Sequence, residues 1–169
     1  MKINEKPNSC FYPNPVVLVS VAHELRESII TLSWVGTCCS EPPIVSISVR
    51  PERYSHPILL DSKEFVINFP TISLIDQVKI CGTKSGRDID KWKECNFTKT
   101  KSKEINTPAI AECPVNIECK VEQVIKLGTH DLFISRVVAS QIDDKWKTNR
   151  YPDMLTFTRG KYGVVKPLQ

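Results

Sequence analysis

The chain has 169 residues and a formal net charge of +4 at pH 7, a length typical of one domain and enough to bury a core without disulfide or metal staples. Hydrophobic residues at 41% and charged residues at 25% exclude disordered, collagen-like and knottin-like classes, and 23 basic against 19 acidic side chains is not the charge balance of a nucleic-acid protein. No apolar run of about 18 residues occurs and Met1 to Ser9 has no apolar leader core, so a single cytoplasmic domain over 1–169, with no membrane span, is expected.

Strand signals dominate in chain order. Val16 to Ala22 is almost continuously apolar. Ile29 to Trp34 puts Ile30, Leu32 and Trp34 on one face, and Ile44 to Val49 alternates Val45, Ile47 and Val49 with Ile44, Ser46 and Ser48. Arg53 to Asp61 predicts a short helix with Pro57 in its first turn. Glu64 to Phe69 predicts a strand. Ser73 to Ile80 predicts a helix with a serine cap that stops at Gly82, and Asp88 to Glu94 predicts a third, with Ile89 and Trp92 inward. Phe97 to Pro108 reads as a loop. Asn116 to Val124 and Leu132 to Ala139 read as strands, Gln141 to Pro152 as a second loop. Met154 to Thr158 and Tyr162 to Val165, split by Gly160, close the chain. Short strands with small helices between them predict an antiparallel barrel or sandwich, because parallel crossovers need a dozen or more residues each.

The positive charge is concentrated. Between Lys84 and Lys103 stand seven cations (Lys84, Arg87, Lys91, Lys93, Lys99, Lys101, Lys103) against Asp88, Asp90 and Glu94, which accounts for the whole net charge. Such a segment is either a solvated loop or the neighbourhood of an anion. The seven cysteines (Cys10, Cys38, Cys39, Cys81, Cys95, Cys113, Cys119) are odd in number and contain no C-x-x-C. A reducing compartment and no metal site are expected, with the cysteines neither redox partners nor ligands. Cys119 falls on the apolar face of its strand.

Four segments carry residues suited to chemistry. Ser33-Trp34-Val35-Gly36-Thr37-Cys38-Cys39-Ser40-Glu41-Pro42-Pro43 is a small-residue turn whose backbone amides are able to face an anion or a carbonyl. Ser46-x-Ser48-x-Arg50-Pro51-x-Arg53-Tyr54-Ser55 puts arginines at a strand end and a helix start, where phosphate is favoured. Cys81-Gly82-Thr83-Lys84-Ser85-Gly86-Arg87-Asp88 is a cationic glycine turn without Walker spacing. Gly128-Thr129-His130-Asp131-Leu132-Phe133 opens a strand with a histidine. Each has an ordinary structural reading beside the functional one. No G-x-G-x-x-G or P-loop is present, so a Rossmann site is not expected.

Taken in order, these segments resemble the flavin reductase-like family of FMN-binding split-barrel proteins over about Asn14 to Val138. The resemblance rests on Asn14-Pro15, Ser33-Trp34-Val35-Gly36-Thr37, Ser40-Glu41-Pro42-Pro43, Ser48-Val49-Arg50-Pro51, Cys81-Gly82 with Lys84-Ser85-Gly86-Arg87-Asp88, and Gly128-Thr129-His130-Asp131-Leu132-Phe133. It implies a mainly β, six-stranded antiparallel split barrel with a few short helices, a homodimer, and one FMN per subunit near the interface. It further implies that Ser33, Trp34, Gly36, Thr37 and the amides of Cys38 and Cys39 line the ring. Ser48, Arg50 and Ser55 would hold the phosphate, Lys84, Ser85 and Arg87 would close over it, and Asn68 would lie near the same rim. Where the family's strand after the histidine often carries a glycine and an acid, this chain has Ser135-Arg136, a departure that bears on nicotinamide more than on FMN.

The expected function is therefore an FMN-dependent oxidoreductase that takes hydride from NADH or NADPH and passes electrons to a small-molecule or protein acceptor. No catalytic side chain is assigned, because the cofactor carries the chemistry and the protein positions it. The rival is an FMN-binding electron carrier reduced by a partner protein, without efficient nicotinamide turnover.

Overall fold

The computed structural model describes residues 2–4, 6–9, 11–146 and 153–165. The elements in order are β1 (Asn14–Pro15), β2 (Val17–His23), β3 (Arg26–Leu32), β4 (Val35–Ser40), β5 (Pro43–Val49), α1 (Ser55–Ser62), β6 (Glu64–Phe69), α2 (Ile75–Thr83), α3 (Lys91–Glu94), β7 (Lys99–Thr100), β8 (Ala109–Ile110), β9 (Val115–Lys126), β10 (Asp131–Ile142), β11 (Leu155–Thr158) and β12 (Lys161–Val164).

The main sheet runs β3-β2-β6-β9-β10-β5-β4, and every pairing in it is antiparallel. The two 12-residue strands β9 and β10 form its central hairpin. Register shifts at Ile134/Ser135 and Val137/Ala139 bend that hairpin, as bulges do, and help the sheet to curl. The result is a mainly β split barrel. A small sheet of β1, β11 and β12 flanks it.

The nearly continuous apolar run of β2 has a physical reason, since both faces of that strand are covered. Val17, Val19 and Val21 face a core with Ile47, Phe65, Cys119 and Phe133. Val16 and Leu18 face a second core with Ile29, Val78, Cys81, Trp92 and Leu155, formed where α2 and α3 pack on the outside of the sheet. Thr31 Oγ1 donates to the Val78 carbonyl at 2.6 Å and ties α2 to β3.

Several expectations are corrected. The segment read as a turn after Trp34 pairs with β5 as edge strand β4, which brings the main sheet of the split barrel to seven strands. Ser73 does not cap α2; it lies in a turn of 3-10 helix over Ile72–Leu74, and Leu74 takes the cap position. The third helix begins at Lys91, capped by the Asp90 carboxylate, which accepts from the amides of Trp92 and Lys93. The first helix begins at Ser55, and Pro57 does sit in its first turn. The segment expected as a loop from Phe97 to Pro108 contains the short strand β7, paired with β8, and is held by two carboxylates. The Glu118 oxygens accept from the amides of Lys103 and Glu104 at 2.7 and 2.8 Å, and Glu64 accepts from Asn106 and Thr107 at 2.8 and 2.9 Å. The expected loop from Gln141 begins later, since β10 runs to Ile142, and its end at 147–152 lies outside the described residues.

Candidate functional site

Two adjoining clefts open where β3, the β5–α1 turn, the end of α2 and the β9–β10 hairpin meet. The first, about 190 Å³, is lined by Ile30, Thr31, Ser33, Trp34, Ser48, Arg50, Arg53, Gly82 and His130 among others. The second, about 160 Å³, shares Ile30, Arg53 and Gly82 and adds Ser28, Tyr54, Ser55, Lys84, Ser85, Arg87 and Lys91. Four cations, Arg53, Lys84, Arg87 and Lys91, face the second cleft against the single acid Glu52. That field selects an anion.

The backbone lets these walls approach. A Cβ added at Gly86 would stand 2.5 Å from both Ser28 Oγ and Tyr54 Cδ1, so no side chain fits where this turn closes on β3 and on the turn before α1. The Arg87 guanidinium lies 5.8 Å from the centre of the Tyr54 ring and donates to the Glu52 carbonyl at 3.3 Å. Lys84 reaches Glu94 at 2.8 Å, and Arg50 reaches Glu52 at 3.4 Å. The Arg53 guanidinium makes no ion pair or hydrogen bond among the described residues. Ser55 is 3% exposed, and its Oγ has no hydrogen-bond partner among the described residues. A buried hydroxyl left unsatisfied is costly unless a ligand completes it. The residues present therefore fit a phosphate monoester.

The other end of the double cleft is aromatic. The rings of Trp34 and His130 lie 4.4 Å apart, tilted by 36°. Thr129 Oγ1 is 2.9 Å from His130 Nδ1. Burial, then the charges of Arg50 and Arg53, hold the His130 imidazole below its ordinary pKa, so its neutral form is favoured near the cleft. Behind it, His56 Nε2 and Asp131 Oδ2 meet at 2.9 Å, both side chains buried. This pair joins the first turn of α1 to the start of β10 and thus ties the two walls together.

The sequence-predicted residues divide. Ser33, Trp34, Ser48 and Arg50 line the first cleft, and Ser55, Lys84, Ser85 and Arg87 line the second. Gly36, Thr37, Cys38 and Cys39 line neither. They stand on edge strand β4, where the Thr37↔Val45 and Cys39↔Ile44 pairing replaces the expected turn. Asn68 is not at the rim. It is fully buried, and its amide donates to Leu18 O, Ser20 Oγ and Val66 O while its Oδ1 accepts from Ile110 N and Asn116 Nδ2. Among the residues not assigned from sequence, Arg53 lay inside a quoted segment and was the easiest to find. Lys91 was hidden, because it read as one more lysine of a basic stretch. It is 6% exposed and donates to the carbonyls of Ile29 and Cys81, both at 2.8 Å; burial lowers its pKa.

Comparison with known proteins decides the family. Residues 9–166 match the model of the flavin reductase like domain. The chain belongs to that family. An uncharacterized protein of Archaeoglobus fulgidus is 30% identical over 143 residues, covering 85% of this chain and 80% of that protein. The flavoredoxin structure from Desulfovibrio vulgaris (Miyazaki F) superposes with a TM-score of 0.90 at 25% identity, over 100% of this chain and 96% of that one. An FMN-binding protein from Thermus thermophilus, solved with bound 1-cyclohex-2-enone, gives a TM-score of 0.84 at 26% identity over 97% and 93% of the two chains. Family membership makes this chain a flavoprotein of the flavin reductase-like class, a flavin-related oxidoreductase or electron carrier. Among the described residues no helix is long and apolar enough to cross a membrane.

Proposed function

We propose that the chain binds one non-covalent FMN in the double cleft and acts as an oxidoreductase, with NADH or NADPH as hydride donor and a small-molecule or protein acceptor. The observation that carries this reading is the polarity of the cleft: the buried Ser55 hydroxyl, without a partner among the described residues, at one end, Trp34 and His130 at the other, and Arg53 on the wall that the two clefts share. An elongated ligand with an anionic tail and a flat head matches that order, and a dinucleotide has no fingerprint here.

Bound FMN would supply the hydride and electron chemistry; the side chains bind, orient and tune. Arg53 and Ser55 hold the phosphate, with Lys84, Ser85 and Arg87 closing the cationic turn over it. Lys91, anchored on two carbonyls, keeps a fixed positive charge at the floor of that cleft. Arg50 and neutral His130 bound the head-group end, so polar atoms there meet one cation and one uncharged imidazole. Trp34, 44% exposed, and Phe11, 84% exposed, lie on one apolar surface beside β4. A second copy of the chain is the proposed cover, giving a homodimer.

A visible absorption spectrum of the purified protein, heat release of the chromophore and chromatography test the cofactor. FMN is expected; FAD alone, or no flavin after reconstitution, refutes the reading. Steady-state oxidation of NADH and NADPH tests the enzyme. A yellow protein that oxidises neither is the electron carrier reduced by a partner. Light scattering should return about twice the chain mass.

A further inference from the structure

The sulfurs of Cys81 and Cys95 lie 3.7 Å apart. One residue belongs to the last turn of α2, the other follows α3 directly, and their separation of 14 positions gives no motif in the sequence. Both side chains are buried. Cys81 also lines the cationic cleft, and its carbonyl accepts from the Lys91 ammonium at 2.8 Å. The segment between the two cysteines carries Lys84, Ser85 and Arg87. Its N-terminal end is packed tightly: a Cβ at Gly82 would meet Thr31 Cβ at 3.3 Å.

We propose that Cys81 and Cys95 are a site of oxidative modification, forming a disulfide that staples the turn bearing Lys84, Ser85 and Arg87 to the end of α3. The two sulfurs stand 3.7 Å apart and must close to the bonding distance of about 2.05 Å, an approach of under 2 Å. Closing the 81–95 loop restricts the opening of that turn, because a cross-link limits the conformations the enclosed chain can reach.

The oxidant is a hydroperoxide, with hydrogen peroxide the simplest member. The thiolate of Cys81, a residue 1% exposed in the wall of the cleft, attacks one peroxide oxygen once that wall opens; the S–O bond forms, the O–O bond breaks and hydroxide leaves. The Cys95 thiolate then attacks the Cys81 sulfur, the S–S bond forms and a second hydroxide leaves. The two thiols together lose two electrons and two protons, one peroxide gains both, and two waters result. Burial pushes both thiols above their ordinary pKa, opposed by the Lys91 charge. Thiolate is the reacting form, so the rate should rise about tenfold for each unit of pH below those values.

The test uses the full chain treated with hydrogen peroxide, with peptide mapping and limited trypsin digestion before and after. Mapping is expected to show one cross-linked product joining the Cys81 and Cys95 peptides, reversed by dithiothreitol. Trypsin cleavage after Lys84 and Arg87 is expected to slow several-fold in the oxidised form and to be unchanged by peroxide in Cys95→Ala. Exposed Cys38 serves as the reference thiol. Oxidation at Cys38 with no Cys81–Cys95 product, a link from Cys81 to Cys113 instead, or equal trypsin cleavage of reduced and cross-linked forms overturns the proposal. Mapping of the unsubstituted chain decides the matter even if the variant does not fold. No readout depends on flavin, so failure here is distinct from failure of the proposed function.

Discussion

Two buried polar regions of this molecule look alike in composition and behave as opposites. Around Asn68, polar atoms are matched one by one: Asn68 is shared among three strands and β8, Asn116 Nδ2 also donates to Ile110 O, and Ser20 Oγ donates to Pro108 O. Around Ser55, they are left open: among the described residues one buried hydroxyl has no partner and the Arg53 guanidinium makes no ion pair or hydrogen bond. The first pattern is scaffold, since every group gains a partner on folding. The second is the pattern expected of the proposed site, where a ligand would supply the partners. Residue type did not separate the two, because an asparagine at a strand end and a serine at a helix start are equally plausible ligand contacts on paper.

The sharpest test of this contrast exchanges the readouts. Asn68→Ala strands the Ile110 amide and the Asn116 side chain in the core and should lower stability by about 3 kcal/mol, measured by denaturant midpoint. Its effect on ligand should follow only from unfolding. Arg53→Ala should do the reverse. A charge-assisted contact to phosphate contributes about 1.5–3 kcal/mol, so FMN affinity should fall roughly 10- to 150-fold with riboflavin affinity and stability little changed. Lys84→Ala should cost less than Arg53→Ala, because its ammonium already has Glu94. Equal losses for FMN and riboflavin in Arg53→Ala would place that guanidinium at the ring and break the assignment.

Ser55→Ala narrows the comparison to one atom. Removing a hydroxyl that has no partner should leave the denaturant midpoint unchanged or slightly raised, while FMN affinity drops about tenfold. A clear loss of stability would mean that the Oγ is satisfied in the protein as it exists in solution. Beside these, the Cys38→Ser, Cys39→Ser double substitution should be close to silent in flavin content and turnover. Both residues sit on β4, whose contribution is backbone pairing with β5. Loss of turnover with FMN retained would give one of these thiols a role in electron transfer.

How much was legible follows from the range of each signal. The alternation in Ile44 to Val49 and the double-faced run in β2 are local, and both became strands where expected. The cationic turn after α2 and the arginines before α1 were also readable, because side-chain chemistry clusters within a few residues there. β4 was missed because Gly36 and the run of small residues to Ser40 read as a turn although Val35 and Thr37 favour strands; the pairing is supplied by β5, across a proline turn. Lys91 was missed because burial of a lysine depends on which carbonyls converge on it, here those of Ile29 and Cys81 from two other elements. The Cys81–Cys95 proximity is of the same kind, a product of how α2 and α3 pack.

The smallest expected effect concerns His130, at the end of the cleft opposite Ser55. Burial is the largest cause of its lowered pKa, followed by Arg50 and Arg53. The unfolded chain titrates near the ordinary value of 6.5. Above that pH the imidazole is neutral in both states and adds nothing to the slope. As the pH falls below it, the unfolded chain takes up the proton first, so folded stability declines until the lower folded value is passed. His130→Gln removes the titration and should flatten this part of the thermal-midpoint profile relative to the unsubstituted protein. Adding inorganic phosphate should shrink the difference between the two, because an anion on Arg53 offsets the repulsion those arginines exert on the imidazolium. A steeper acid-side decline in the variant would show that the protonated ring is the form the fold favours, and that the aromatic end of the cleft, like the other, is built to hold charge.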